Sequence, residues 1–273
     1  MQHRAVSRVA VVGATGKMGR LACRLVEETD GFELVAELGS SSDLAELEGA
    51  DIVVDFTLPQ VSPRVVEQAI AHGIPIVVGT SGWSGERIET VRRALGAAPA
   101  IGVLIIPNFS VGSVLATAFA ALAARFYDSI EIVEAHSAGK VDSPSGTAVR
   151  TAELIGAARS ELGPVAAPHT DQRARGQQVA SVPVHSLRLQ GVVARQSVLL
   201  GGTGEVLELR HETTSAAAYE AGILLALREV RSRRGVVVGL DSLLDLGLPV
   251  PGAPTTPAVG DAPSGQAATA TSA

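Results

Sequence analysis

The residues best suited to chemistry lie close together, in the run EAHSAGKVDSPSGTA from Glu134 to Ala148. It holds two carboxylates (Glu134 and Asp142), an imidazole (His136) and an ammonium (Lys140). An imidazole changes charge near neutral pH and a lysine gives up its proton readily when buried, so the pair suits proton transfer. Ser145, Gly146 and Thr147 follow, and a Ser or Thr hydroxyl there can cap a helix that begins near Ala148. The unpaired N–H groups of such a helix start favour an anion. The stretch reads as a site that binds a carboxylate substrate and protonates it. Of the 22 Lys and Arg residues only Lys17 and Lys140 are Lys, and both lie in glycine-containing loops. Arg does not release its proton in a protein, which singles these two out.

The elements that must position this run are legible as patterns. Ser129 to Val133 is apolar and β-branched and reads as a buried strand leading into it. Near the start, Arg8 to Val12 is a short strand, GATGKMGR (Gly13 to Arg20) a glycine turn, and the chain to about Glu28 an amphipathic helix. Strand, glycine turn and helix form the context of a dinucleotide-binding unit. In that unit Gly13 allows the tight turn, Gly16 the approach of backbone to a pyrophosphate, and Gly19 the packing of helix on strand. Glu37, near the end of the strand Phe32 to Leu38, is placed to bind a ribose diol, whereas the small residues Gly39 to Ser42 leave room for a 2′-phosphate. The expected cofactor is NADPH or NADH, with the choice open.

Further strands are expected at Asp51–Phe56, Ile74–Val78 and Ile101–Ile106, with helices at Ser62–Gly73, from beyond Trp83 to about Leu95, and at Leu115–Phe126. Strands alternating with helices imply a parallel sheet, and ligands of such sheets sit beyond the carboxyl ends of the strands. The loops at 13–19, 57–59, 79–83 and 107–113 would then line one cleft. A helix is expected from Ala148 to Arg159, and a long mobile loop over 160–181. From Pro183 the period changes to two, through VHSLRL, RQSVLL and GEVLELRHE, which implies antiparallel strands. His185 and His211 on these strands read as exposed or interface residues. Ala216–Val230 is a helix, and VVVGLDSLLDL after it could return to the first domain. The fold class expected is α/β: an N-terminal Rossmann-like doubly wound parallel sheet, plus a second α+β domain with a mainly antiparallel open sheet. Residues 1–107 and 215–248 would form the dinucleotide-binding domain, 108–214 a substrate-binding and oligomerisation domain, and 249–273 a disordered low-complexity tail.

Composition narrows the function. A net charge of −6 argues against a broadly basic nucleic-acid surface, and 3% aromatic residues leave little for stacking on bases. The single cysteine, Cys23, excludes an internal disulfide and fits a reducing cytoplasm. No apolar run is long enough for a membrane span, no signal peptide is read at the start, and no His, Cys and Asp spacing reads as a metal site.

The motifs GATGKMG, DFT, GTSG, PNFSVG, E-x-H-x-x-x-K-x-D-x-P-S-G-T and HSLRL…VLL…G-x-x-L-x-L-x-H, in this order over about residues 8–248, resemble the dihydrodipicolinate (4-hydroxy-tetrahydrodipicolinate) reductases of bacterial lysine and diaminopimelate synthesis. The VVVGLDSLLDL ending resembles actinobacterial members. The resemblance implies NAD(P)H-dependent reduction of a cyclic imine dicarboxylate to tetrahydrodipicolinate by a cytoplasmic homotetramer built on the second domain's sheet. It implies His136 as proton donor or acceptor and Lys140 as proton donor. Ser145, Gly146 and Thr147 would bind a substrate carboxylate. The pyrophosphate loop would be Gly13, Ala14, Thr15, Gly16, Lys17 and Met18. Phe56, Gly79, Thr80 and Ser81, and Ile106, Pro107, Asn108 and Phe109, would flank the nicotinamide. Ser137 stands where the family's second His binds substrate, Gly139 and Ser143 replace a frequent His and Ala, and the family's ribose-binding acid falls on Gly39. A neutral hydroxyl at Ser137 implies weaker substrate binding, or a reductase of the same fold acting on another cyclic imine or enamine. A non-catalytic nucleotide-binding protein is the third reading.

Overall fold

A computed structural model describes residues 6–244 and Leu246. The expected tail at 249–273 lies outside the described residues. Two sheets organise the chain. The first holds β1 (Ser7–Val12), β2 (Phe32–Leu38), β3 (Ile52–Asp55), β4 (Ile76–Val78), β5 (Gly102–Ile105) and β11 (Gly235–Val238). All its pairs are parallel, in the order β11-β5-β4-β3-β1-β2. β1, β3, β4 and β5 are almost wholly buried, as a parallel sheet covered on both faces requires. α1 (Lys17–Glu28) and α6 (Glu220–Glu229) cover one face, packing Leu25, Val26 and Leu227 against Val9, Val11 and Leu104. α2 (Ser62–Ala71) and α3 (Gly85–Leu95) cover the other, over Val53, Ile76 and Val103. Cys23 is buried in the α1 face; its burial and the nearby Glu37 push the thiol up to about 12 and leave it inert.

The second sheet holds β6 (Ser129–Ser137), β7 (Gln177–Val179), β8 (Val182–Leu189), β9 (Ala194–Gly202) and β10 (Glu205–Thr213), in the order β10-β9-β6-β8-β7. α4 (Val111–Ala123) and α5 (Gly146–Ala158) pack on one face, over Ile130, Ile132, Val184, Val198 and Leu200. The expected returning strand is β11, which pairs with β5 and brings the chain back to the first sheet.

Several expectations are corrected. β8 pairs with β6 in parallel, because α5 carries the chain across between them; the other pairs of this sheet are antiparallel. β6 runs four residues beyond Val133, held by neighbours on both sides, so Glu134 and His136 lie on a strand rather than in a loop. α4 begins at Val111 rather than Leu115, since the Ser110 hydroxyl accepts from Ser113 N and caps it. α5 begins at Gly146, and Ser145, not Thr147, is its cap, accepting from Ala148 N at 3.2 Å. The 160–181 segment is not one open loop: it contains β7, buries Val165, and is tied down where Arg175 and His185 meet Glu131. The helix expected from Ala216 starts as a tight turn, Ala216–Tyr219, before α6.

Candidate active site

The glycine loop follows from what a Cβ would meet. Gly13 has φ +82° and leaves only 2.4 Å between a Cβ position and the Phe56 carbonyl oxygen, while at Gly19 a Cβ would lie 2.1 Å from the Gly13 oxygen. The loop thus folds tightly against the end of β3. The N-terminus of α1 has no side-chain cap at Gly16 and no acidic residue in its first turn. Its N–H groups, with the Lys17 ammonium beside them, fit a phosphate-bearing nucleotide. At the end of β3, Asp55 is fully buried and accepts from Thr57 N at 2.9 Å, Thr57 Oγ1 at 2.6 Å and the Ser62 hydroxyl. Trp83 Nε1 donates to the same Ser62 hydroxyl at 3.2 Å, so the only Trp ties the 79–83 loop to α2.

Beyond these strand ends lies a cavity of about 390 Å³, bordered on one side by Lys17, Met18, Phe56, Gly79 and the 107–109 segment. Phe56 and Phe109 pack with ring centroids 5.5 Å apart, and a Cβ on Gly79 would lie 2.1 Å from the Phe56 ring. Its opposite border comes from the second sheet and α5: His136, Lys140 and Thr147. Ten of the residues expected at the site therefore border one space.

The others sit around it. Gly13, Ala14, Thr15 and Gly16 form the turn before Lys17, and Gly19 lies in the first turn of α1. Thr80, Ile106 and Ser145 are buried. Gly146 opens α5, and Ser81 is exposed. Glu37 is exposed on β2, next to Cys23 of α1, and does not border the cavity. Ser137, one step past His136 on a pleated strand, turns to the other face, is exposed, and does not border it either. Arg195, Gln196, His211 and Tyr219 border it unforeseen. Register explains two of them. Ser186, Glu134, Gln196 and His211 form one transverse row across β8, β6, β9 and β10, immediately after the apolar row Val184, Ile132, Val198 and Leu209. No local pattern around His211 signals that alignment.

The charges of the site are ordered. Lys140 Nζ lies 2.7 Å from Asp142 Oδ1, and this ammonium holds the Asp142 carboxyl below the ordinary value. His136 Nδ1 lies 2.6 Å from Glu134 Oε2, and Arg188 Nη1 donates to the same oxygen at 3.0 Å. Burial alone would push the Glu134 carboxyl up, but the neighbouring Ser186, His136 and Arg188 outweigh it and hold it below the ordinary value. Glu131 is likewise held low against burial by Arg175 and His185. Burial keeps His211 below 6.5; its Nε2 lies 3.2 Å from the Ser110 hydroxyl. Among the described residues no group of three or more His, Cys, Asp or Glu could hold a metal ion, and no helix is long and apolar enough to cross a membrane.

These shifts share one sign. Each of the four groups binds its proton less readily in the fold than in the unfolded chain, so acid favours unfolding. The contribution of His211 is complete above 6.5 and lost as pH falls through its lower folded value. Those of Glu131, Glu134 and Asp142 are complete above 4.5, 4.5 and 3.8 and are lost as pH falls through their folded values. The melting temperature is expected to decline on acidification from neutral pH, first by the His211 step. Circular dichroism melts across that range test this, and a flat or rising profile contradicts it.

Comparison with known proteins gives a consistent result. Residues 7–109 match the family model "Dihydrodipicolinate reductase, N-terminus", and residues 112–244 match "Dihydrodipicolinate reductase, C-terminus". The chain is 64% identical to a 4-hydroxy-tetrahydrodipicolinate reductase of Clavibacter sepedonicus, over 97% of this chain and 99% of that protein. It is 47% identical to one of Streptomyces griseus, over 88% and 98%. Among solved structures, a dipicolinate-bound dihydrodipicolinate reductase from Paenisporosarcina sp. TG-14 superposes with a TM-score of 0.76 at 28% identity, over 88% of this chain and all of that one.

Proposed function

The chain belongs to the dihydrodipicolinate reductase family, and we propose that it reduces 4-hydroxy-tetrahydrodipicolinate to tetrahydrodipicolinate with NADH or NADPH, in lysine and diaminopimelate synthesis. One observation carries the reading at the level of residues: His136 and Lys140 border the same cavity as Lys17 and Met18 of the glycine loop. A nucleotide bound at α1 and a carboxylate bound at α5 would meet across it. The 4-hydroxyl must leave as water, which gives the unsaturated ring; a bound nicotinamide nucleotide would supply a hydride to that ring, leaving negative charge on a neighbouring carbon. Lys140 and His136 are the groups that deliver a proton there. Thr147 and the N-terminus of α5, capped by Ser145 and opened by Gly146, hold a substrate carboxylate. Gly13 to Gly19 hold the pyrophosphate, and Phe56, Gly79 and Asn108 flank the nicotinamide. Residues 1–107 and 215–248 act as the nucleotide domain and 108–214 as the substrate domain, with the cleft closing before transfer.

The finer assignments belong to the same reading. The protein is a cytoplasmic homotetramer. Leu187, Leu189 and Val206, exposed on the face of the second sheet opposite α4 and α5, support that sheet as the contact surface, and sedimentation tests it. Ser137 is exposed at the last position of β6, on the face away from the cavity, so a substrate role for it requires the turn to Lys140 to rearrange on closure. Replacing this neutral hydroxyl by an imidazole, Ser137→His, is expected to lower KM by about tenfold or more, since hydrogen bonds to charged groups contribute about 1.5–3 kcal/mol. An unchanged KM removes Ser137 from the substrate site.

The deciding experiment follows NADPH and NADH oxidation with substrate generated in situ by a synthase. Saturable oxidation is expected. No oxidation, from protein that binds the nucleotide, shifts the reading to a different cyclic imine.

A further inference from the structure

Glu134 is fully buried in the wall behind the cavity, and Ser145 N, Arg188 and His136 all meet its carboxylate. Ser145 N donates to Oε1 at 3.2 Å; Arg188 Nη1, at 3.0 Å, and His136 Nδ1, at 2.6 Å, meet Oε2. A backbone N–H and a guanidinium can only donate, and an ionised carboxylate can only accept. His136 Nδ1 must then carry the hydrogen, and Nε2 is left as the ring nitrogen open to a ligand. The same carboxylate holds the residue that caps α5. Through Arg188, whose Nη2 donates to the Asp142 carbonyl, it also reaches the loop whose Asp142 side chain pairs with Lys140.

We propose that Glu134 is a positioning residue of this site: its buried carboxylate sets the tautomer of His136 and holds the imidazole in register with the anion-binding start of α5. No other side chain of similar shape can do this. A Gln has one acceptor oxygen and an NH₂ group, so at least one of the three donors would face another donor. A buried donor left in that state is costly: with the NH₂ group toward Arg188 and His136 the imidazole is driven to rotate or to move its proton to Nε2, and with it toward Ser145 N the start of α5 is displaced, so in both cases the register of imidazole and helix start is lost. The kinetic part of this inference rests on the proposed reductase function; the tautomer does not.

The test uses the full-length protein with ¹⁵N-labelled histidine. The His136 signals are identified among the six histidines by their loss in His136→Gln. In the unaltered protein, at a pH where the ring is neutral, the Nδ1–H tautomer is expected. An Nε2–H tautomer there overturns the proposal with no other variant needed. Glu134→Gln is expected to change the His136 ring-nitrogen signals and to lower kcat by about 10²-fold, the lower end of what acid–base catalysis contributes, with nucleotide affinity within about twofold. A Glu134→Gln protein that keeps those signals and full kcat also overturns it. If the unaltered protein fails to turn over the dicarboxylate, the functional reading falls while the tautomer still decides the role of Glu134.

Discussion

Lys140→Met is expected to lower kcat by about 10²–10⁴-fold, the range spanned by a positioned acid or base, while leaving nucleotide affinity unchanged. The ammonium borders the cavity, and among the described residues its only ion pair is with Asp142, a carboxylate more than half exposed to solvent. That pair sets the direction of the side chain without sealing it off. Methionine keeps most of the apolar stem and removes the ammonium, and with it the transferable proton and the pair with Asp142. Lys140→Arg is expected to fail as well, because a guanidinium does not release its proton. Steady-state kinetics with both nucleotides, and nucleotide titration by fluorescence, check the two halves. A Lys140→Met protein with kcat within about twofold of the original would remove Lys140 from the chemistry.

Gly13→Ala is expected to act on the opposite wall and through the backbone. The residue lies at φ +82°, where a Cβ is strained, and that Cβ would come within 2.4 Å of the Phe56 carbonyl oxygen and 3.0 Å of Thr57 N. The obstacle is main chain of β3 and the turn after it, which cannot rotate aside. Strain of this kind costs about 1–3 kcal/mol, to which displacement of the turn adds. The turn carries Phe56, whose ring packs on Phe109 across the cavity border, so the damage reaches the side proposed to hold the nicotinamide. The expected outcome is a lower melting temperature with nucleotide affinity weakened by an order of magnitude or more. Unchanged affinity would mean that the 13–19 turn does not hold the nucleotide.

Local order along the chain determines a good deal of this protein. The glycine turn between β1 and α1, the alternation of apolar strands and helices, and the grouping of His136, Lys140 and the Ser-Gly-Thr turn are read from near neighbours. They are governed by near neighbours too: a turn needs its glycines and a helix start its cap. The ten expected site residues that border one cavity all come from such locally read segments. Pairing between distant segments decides the rest. Whether β6 stops at Val133 or continues to Ser137 depends on β8 and β9, and the continuation puts Glu134 and His136 on the cavity face with Ser137 on the other. Arg188 reaches Glu134 across 54 residues of chain, and His211 reaches Ser110 across 101. A strand's side chains alternate, so a shift of one residue in register reverses every one of them. His136 and Lys140, the residues proposed to carry the proton, are named by the sequence by itself. The burial of Glu134, the direction of His136 and the arrival of Gln196 and His211 at the cavity follow only from strand register, which tertiary pairing sets.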